Sequence, residues 1–311
     1  MEKLPIIAVV GPTASGKTGL SIELAKKLDA EIISFDSMQI YKGMHIASAA
    51  PDDAEKKGIP HHLLEFLDPS ESFSVADFVK LAREKAEEIN KRGKRVIITG
   101  GTGLYINSFL DNIEFSEEEP NPELREKLNT EYEELGGEEM LKRLREFDPS
   151  SAERLHPNNK KRIIRAFEIY LSTGVTMTQQ LENSTKNESP YEPYIIGLTF
   201  NSREKLYDRI GQRVDIMLQS GLLSEAEKMF HSNNSSTAVQ AIGHKEFFPY
   251  FRGEITLDEA TENLKRETRR YAKRQLTWFR RDERVNWIYR DSEEDVLSAS
   301  VRILERNGYF G

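Results

Sequence analysis

The stretch Gly11-Pro12-Thr13-Ala14-Ser15-Gly16-Lys17-Thr18 matches the phosphate-binding loop pattern G-x-x-x-x-G-K-[ST] at every fixed position. No other feature constrains the fold as much. Such a loop works where a strand delivers it and a helix leaves it, because N–H groups at the helix start cradle phosphate oxygens. The flanks comply. Pro5 to Val10 is a nearly continuous apolar run, the pattern of a strand buried on both faces of a parallel sheet. Thr18 to Leu28 then shows helical spacing, with Leu20, Leu24 and Leu28 on one stripe, and Glu31 to Phe35 is a second β-like run ending at Asp36. Strand, loop, helix and strand of this size make a right-handed crossover.

A second unit follows. Ser74 and Asp77 have capping-box spacing, and the helix behind them turns Val75, Phe78, Val79, Ala82, Ala86 and Ile89 inward before stopping at Gly93. Arg95 to Thr99 is the next strand, with Gly100-Gly101-Thr102-Gly103 at its C-terminal end, where open α/β sheets bind ligands. The pattern then changes. Glu117 to Pro122 is an acidic, proline-containing break, and from Pro122 to about Leu181 the spacing predicts helices and no strand. Asn121-Pro122 and Asp148-Pro149 each place a cap before a proline. Thr185 to Pro193 is polar and turn-rich, Tyr194 to Phe200 is a strand again, and the remainder reads as mostly helical. The expected architecture is α/β: a P-loop NTPase-like parallel sheet with an inserted all-helical domain and a helical C-terminal region. The expected boundaries are 1–115 for the first part of the core, 116–192 for the insert, and 193–311 for the return to the core.

Composition excludes several chemistries. The 311 residues contain no cysteine, which removes disulfides, thiolate nucleophiles, iron–sulfur clusters and cysteine zinc sites. No run of 18 apolar residues suggests a membrane span, and no signal-like segment opens the chain, so a cytoplasmic protein is expected. The net charge of −8 argues mildly against a nucleic-acid partner. Locally the balance reverses: Lys265 to Arg284 holds nine basic and three acidic residues.

Within the loop, Lys17 supplies a point charge and Thr18 offers a hydroxyl to Mg²⁺. The Arg95–Thr99 strand ends without the acid that nucleotide hydrolases use for metal. The available acid is Asp36, which could hold metal, act as a general base, or simply cap a turn. Asn201 and Glu204 mark a helix start, and Leu206, Ile210, Arg213, Val214 and Met217 then share one face. Arg213 is thus a charge on an apolar stripe: it either snorkels outward, pairs with an acid, or meets a ligand phosphate. The 264–281 segment reads as a helix with Leu264, Thr268, Tyr271, Gln275 and Trp278 on one stripe and arginines and lysines around it. It is either a solvated charged helix with a core Trp or an RNA-facing surface. Lys160 to Arg165 is a second basic cluster. The adjacent His61 and His62 lack a third ligand and read as structural.

Five segments in this order, Gly11–Thr18, Asp36-Ser37-Met38-Gln39-Ile40-Tyr41, His61-His62-Leu63, Gly100–Tyr105 and Ala272–Trp278, resemble the bacterial tRNA dimethylallyltransferases, or tRNA isopentenyltransferases. The resemblance spans nearly the whole chain. It implies a prenyl transferase that moves a dimethylallyl group from dimethylallyl diphosphate to N6 of the adenosine at tRNA position 37. The loop would then bind the donor diphosphate through Gly11, Pro12, Thr13, Ala14, Ser15, Gly16, Lys17 and Thr18 rather than ATP, with Arg213 beside it and Mg²⁺ on Thr18. Asp36, Lys17 and Arg213 would be catalytic, with Asp36 as the base. The anticodon arm would be met by Asp36, Ser37, Met38, Gln39, Thr102, Arg125, Lys161, Arg162, Arg165, Gln240, Gly243, Lys273, Arg274, Gln275 and Trp278. A monomer is expected. The sequence departs from the family at Ala47-Ser48-Ala49-Ala50 and at His244, where the family usually has Gly-Thr-Ala-Lys-like residues and Tyr. Competing readings are a P-loop kinase of a small metabolite, an adenylate isopentenyltransferase, and a non-catalytic regulator that senses a nucleotide. The helical insert and the basic helix weigh against the first two; the third, a nucleic-acid-binding regulator, is separated by an assay for dimethylallyl transfer.

Overall fold

A computed structural model describes residues 3–115, 121–184, 187–232 and 237–310. The acidic break at 117–120 and the start of the turn-rich stretch at 185–186 lie outside the described residues. The chain is α/β. Among the described residues there are six strands, β1 (Leu4–Val10), β2 (Ala30–Phe35), β3 (His61–His62), β4 (Arg95–Gly100), β5 (Tyr191–Thr199) and β6 (Val285–Tyr289). They form one sheet in the order β3-β2-β4-β1-β5-β6, and every pairing is parallel. Parallel neighbours need crossovers, and helices supply them.

The register sets the site. Val10 of β1 and Phe35 of β2 both pair with Gly100 of β4, so three strands end at one level. The phosphate loop, Asp36 and the Gly101-Thr102 turn therefore leave the sheet side by side.

Helices α1 (Lys17–Leu28), α2 (His45–Ser48), α3 (Asp53–Lys56), α4 (Val75–Lys91) and α5 (Gly103–Leu110) belong to the first half of the core. The capping box at Ser74 and Asp77 is present, and Phe78, Val79, Ala82, Ala86 and Ile89 are buried while Val75 is half-buried. On one face of the sheet, Leu20, Leu24 and Leu28 of α1 pack on Ile7, Val9, Ile32 and Ile196. Phe35 of β2 meets Phe78 of α4 and Phe109 of α5 edge-on, at 4.9 and 5.2 Å between centroids, and Phe109 stacks on Tyr191 at 4.4 Å.

Residues 111–188 form a second compact unit, separate from the unit of 1–110 and 189–311. It contains α6 (Pro122–Phe147), broken at Gly136, then α7 (Pro149–Arg154), α8 (Lys160–Thr173) and α9 (Met177–Ser184). Asn121 and Asp148 cap α6 and α7 with a proline at the helix start, as the sequence suggests. Leu128, Met140, Leu144, Ile163 and Phe167 form its own core.

The C-terminal part returns to the sheet and adds α10 (Arg203–Gln219), α11 (Leu222–His231), α12 (Phe248–Phe251), α13 (Leu257–Phe279) and α14 (Val296–Arg306). Three local expectations are corrected. β5 begins at Tyr191 rather than Tyr194 because Leu4 of β1 already pairs with Tyr191. The cap of α10 is Ser202, whose side chain accepts from Lys205 N–H, while the Asn201 and Ser202 N–H groups donate to Asp291. β6 lies inside a stretch read as helical: Val-Asn-Trp-Ile-Tyr is short and flanked by charge, so its alternation was too brief to register. Among the described residues no helix is long and apolar enough to cross a membrane.

Phe109 is fully buried where β2, β5 and α4 converge. Replacing it with Ala removes both ring contacts and leaves a cavity, which should cost the core unit about 3–5 kcal/mol in urea unfolding. A loss under about 1 kcal/mol would show that this aromatic cluster is not integral to the core.

Candidate active site

The phosphate loop is fixed by side chains from three later segments. Thr13 N–H donates to Gln275 Oε1 of α13 at 2.8 Å. Arg209 Nε of α10 donates to Ala14 O at 3.0 Å, and Arg290 Nη1, just past β6, donates to Ser15 O at 3.4 Å. Lys17 Nζ turns back onto Pro12 O at 2.8 Å. Gly16 precedes α1 with φ +89°, and a Cβ there would strike the Arg290 guanidinium, so only glycine suits this position. Gly11 and Ser15 are buried beneath the loop.

A cavity of about 330 Å³ opens beside it. Thr13, Lys17, Thr18, Asp36 and Arg213 line one end. Arg213 comes from the apolar stripe of α10; it is half-buried, feels the charge of Asp36, and forms no direct ion pair among the described residues. Burial and then the neighbouring Arg213 charge, against the pull of Asp36, together bring Lys17 down to about 7. Burial likewise lowers Arg213 and raises Asp36. The carboxylate is steadied against that rise by Met38 N–H, which donates to its Oδ1 at 2.9 Å, and by the charges of Lys17 and Arg213.

Another part of the lining is apolar. Ala47, Ala49, Val214, Met217, Ile242 and Leu264 contribute to it. Ser37, Met38, Gln39, Gln240, Gly243, Arg274 and Gln275 complete the candidate residues that reach the cavity. Gln39 is engaged within the protein: its Oε1 accepts from Ser34 Oγ at 2.6 Å, and its Nε2 donates to Ser48 O and Ala49 O, each at 3.1 Å. Gln275 is also engaged, because its Nε2 donates to Gly101 O at 3.0 Å. Thr102 stands just behind the lining, its Oγ1 accepting from Ser37 N–H at 3.2 Å.

The remaining candidates are not in the cavity lining. Trp278 covers Gly103 and donates Nε1–H to Asn107 Oδ1 at 3.2 Å, and Lys273 is exposed on α13. In the helical unit, Lys161, Arg162 and Arg165 are exposed on α8, whose Ile163, Ile164 and Phe167 are buried. Arg125 is gripped by Glu168 through two bonds of 2.6 and 2.7 Å. His62 is structural, bonding Glu31 at 2.6 Å beside Arg92, and no group of three acids or histidines suited to a metal ion occurs among the described residues.

Sequence reasoning missed Arg209 and Arg290 as loop anchors, and the apolar wall formed by Ala47 and Ala49. Arg209 carried a usable signal, since it sits one turn before Arg213 on α10. Arg290 carried none, because only β6 brings it to the loop.

Gln275 joins the loop after β1 to the loop after β4. Gln275→Leu keeps the volume but leaves Thr13 N–H and Gly101 O unpaired, which should cost about 1–3 kcal/mol for each group that water cannot reach. Urea unfolding measures it, and unchanged stability would mean the bridge contributes nothing.

The IPP transferase family model matches residues 39–282. A tRNA dimethylallyltransferase of Acetivibrio thermocellus is 49% identical over 310 residues, covering 98% of this chain and 99% of that one. A tRNA dimethylallyltransferase of Bacillus subtilis is 51% identical over 287 residues, covering 92% and 91%. Among solved structures, the full-length tRNA isopentenylpyrophosphate transferase of Bacillus halodurans superposes with a TM-score of 0.71 at 42% identity, covering 100% of this chain and 96% of that one. A eukaryotic dimethylallyltransferase acting on tRNA superposes at 0.81 with 29% identity, covering 99% and 79%. With a phosphate loop, an isolated buried carboxylate and this breadth of similarity, the chain belongs to the IPP transferase family.

Proposed function

We propose that this chain is a prenyl transferase that moves the dimethylallyl group of dimethylallyl diphosphate onto N6 of the adenosine just 3′ of the tRNA anticodon. One observation carries the reading: a single cavity joins a cationic phosphate-loop end, an apolar part and one buried carboxylate. A kinase or hydrolase site has no use for the apolar part. The family and its tRNA-modifying relatives support the same activity.

The chemistry follows from the charges. The bond between the allylic carbon and the diphosphate oxygen breaks, and the electron pair leaves with diphosphate. Lys17, Arg213 and the loop N–H groups stabilise that growing charge. The adenine N6 then forms the new C–N bond. Its amino group is a poor nucleophile, because its lone pair is delocalised into the ring, and Asp36 takes the proton it sheds. Burial makes Asp36 a better acceptor, while Lys17 and Arg213 keep it ionised until then. Mg²⁺ suits the donor set as an ion carried on the diphosphate: Thr18 offers a hydroxyl and Asp36 is the sole acid in the lining. Bound there, it would neutralise leaving-group charge.

On the RNA side, Lys273, Arg274, Lys161, Arg162 and Arg165 are the exposed cations suited to anticodon-arm phosphates. The target base must leave its stack to reach Asp36. Ser37, Met38, Gln39, Thr102, Gln240 and Gly243 shape the entrance it would use. Gln39, Gln275 and Arg125 serve it indirectly, by holding the segments described above, and Trp278 by its packing on Gly103. The reading takes the enzyme to be cytoplasmic and monomeric.

Labelled dimethylallyl diphosphate offered with tRNA, AMP or no acceptor tests this directly. Label in tRNA alone is expected, and label only in AMP would overturn the RNA assignment. In the same assay, Asp36→Asn should slow single-turnover transfer by about 10²–10⁴-fold with donor binding retained. A near wild-type rate would remove Asp36 as the base.

Lys17 gives a pH test. Its free-state value of about 7 means that it is already charged below that pH and largely neutral above it. An anion bound beside it restores the charge, so the Lys17 contribution to diphosphate affinity should be complete below pH 7 and fall above it, with proton uptake at Lys17 on binding. Calorimetry of inorganic diphosphate at pH 8 in two buffers should show more uptake than Lys17→Arg, which stays charged throughout. Equal uptake in both proteins would show that Lys17 does not titrate with binding.

A further inference from the structure

We propose that Glu225 and His244 are positioning residues that hold the apolar wall of the cavity in place, and so set affinity for the allylic chain without acting on the diphosphate end. The inference rests on the donor assignment made above.

The wall is the α2 segment, whose Ala47, Ser48 and Ala49 face the cavity. A helix of four residues with none of them buried cannot hold itself. Its first N–H groups and last carbonyls have no partners within the helix. The His45 and Ile46 carbonyls accept from Ala50 and Ala49 N–H of the same segment, and the remaining groups named below are satisfied from outside. At the N-terminal end, Glu225 of α11 accepts Ile46 N–H on Oε2 at 2.8 Å and Ala47 N–H on Oε1 at 2.9 Å. At the other end, Gln39 Nε2 donates to Ser48 O and Ala49 O. Gly243 lets the chain press on the wall, since a Cβ there would lie 2.9 Å from Ala47 Cβ.

His244 completes the clamp. Its Nε2 lies 2.7 Å from Glu225 Oε1, and the ring is 1% exposed. An ionised carboxylate only accepts, so Nε2 carries the donated hydrogen. Nδ1 has no partner, so the ring is held by this one bond. Burial would raise Glu225, but the imidazole and the two N–H donors outweigh it and keep the carboxylate charged. A side chain with two backbone bonds and one ring bond fixes both the height and the tilt of α2.

Val214 and Met217 of the apolar lining share α10 with Arg213, but the α2 part of the wall has its own supports. Lys17 and Thr18 begin α1 behind β1, and Arg213 belongs to α10, whereas α2 hangs on Glu225 and Gln39. Loosening the wall should therefore weaken the grip on the hydrocarbon while leaving the grip on diphosphate intact.

The experiment uses the full chain and three variants. Glu225→Gln keeps the shape but turns an N–H₂ group toward an N–H donor. His244→Leu loses the ring donor, and His244→Gln restores an N–H at a similar reach. Hydrogen exchange reports the Ile46 and Ala47 amides, and calorimetry gives Kd for dimethylallyl diphosphate and for inorganic diphosphate. Glu225→Gln and His244→Leu should speed exchange at 46–47 and weaken donor binding about tenfold or more, the scale of a lost bond to a charged group. Inorganic diphosphate affinity should not change, and His244→Gln should return both readouts toward wild type. Unchanged exchange in Glu225→Gln overturns the proposal, as does equal weakening of donor and diphosphate. Wild-type transfer of label to tRNA is scored separately: its absence would remove the functional reading, while the exchange and diphosphate results still decide the clamp.

Discussion

Lys17, Arg213 and Asp36 face one another in the same cavity, whose lining also holds Lys245 and Arg274, so the positive charge is left in excess. Burying any of the three is unfavourable alone. Asp36 relieves Lys17 and Arg213, and they relieve Asp36, yet Lys17 is still pushed to about 7 and Arg213 is still lowered. The imbalance is what an incoming anion corrects. A group with several negative charges gains from both cations at once, and it restores Lys17 to its charged form. The rest of the site serves to keep these three side chains where they are in spite of their own electrostatics.

The sheet and α13 do most of that work. Because Val10, Phe35 and Gly100 end together, the loop and Asp36 need no long connections to meet. The loop carbonyls of Pro12, Ala14 and Ser15 each accept from a cationic side chain, Lys17, Arg209 and Arg290 respectively. Those arginines come from α10 and from the end of β6, so the C-terminal third of the chain is part of the phosphate site. A phosphate loop read as a local motif understates this. Its conformation depends on residues nearly two hundred and more positions away in sequence.

Legibility in the sequence divides along the same line. Features with short-range causes were readable: the glycine-rich loop, the capping box at Ser74, the proline-led helices at Asn121 and Asp148, and the apolar stripe carrying Arg213. Asp36 was readable because it ends a strand beside the loop. Features that depend on long-range register were not. β6 has five residues and a mixed burial pattern, so it offers no period to detect. Glu225 looked like an ordinary helix acid, and nothing local says that its carboxylate receives two N–H groups from residues 46 and 47. The two departures from the family pattern, at 47–50 and at 244, were noted separately, yet they meet at Glu225. Gln39 and Gln275 were chosen for the right region but with direct contact to RNA in view. Their amides brace the loops that form the cavity, a role the sequence did not suggest.

Helix α13 links the two sides of the proposed reaction. Its Gln275 staples the phosphate loop to the Gly101 turn, and Leu264, Thr268 and Tyr271 line the cavity on the same face. Burial raises the Tyr271 hydroxyl far above its ordinary range, so it stays neutral beside Thr102 and Gln275. One and two residues before Gln275 stand Arg274 and Lys273, both exposed, and Arg274 also reaches the cavity rim. A helix rises 1.5 Å per residue and does not stretch. A phosphate held by Lys273 or Arg274 is therefore fixed within a few ångströms of the residue that sets the loop. Docking of the RNA and placement of the donor are in this way referred to one rigid element rather than to two independent ones.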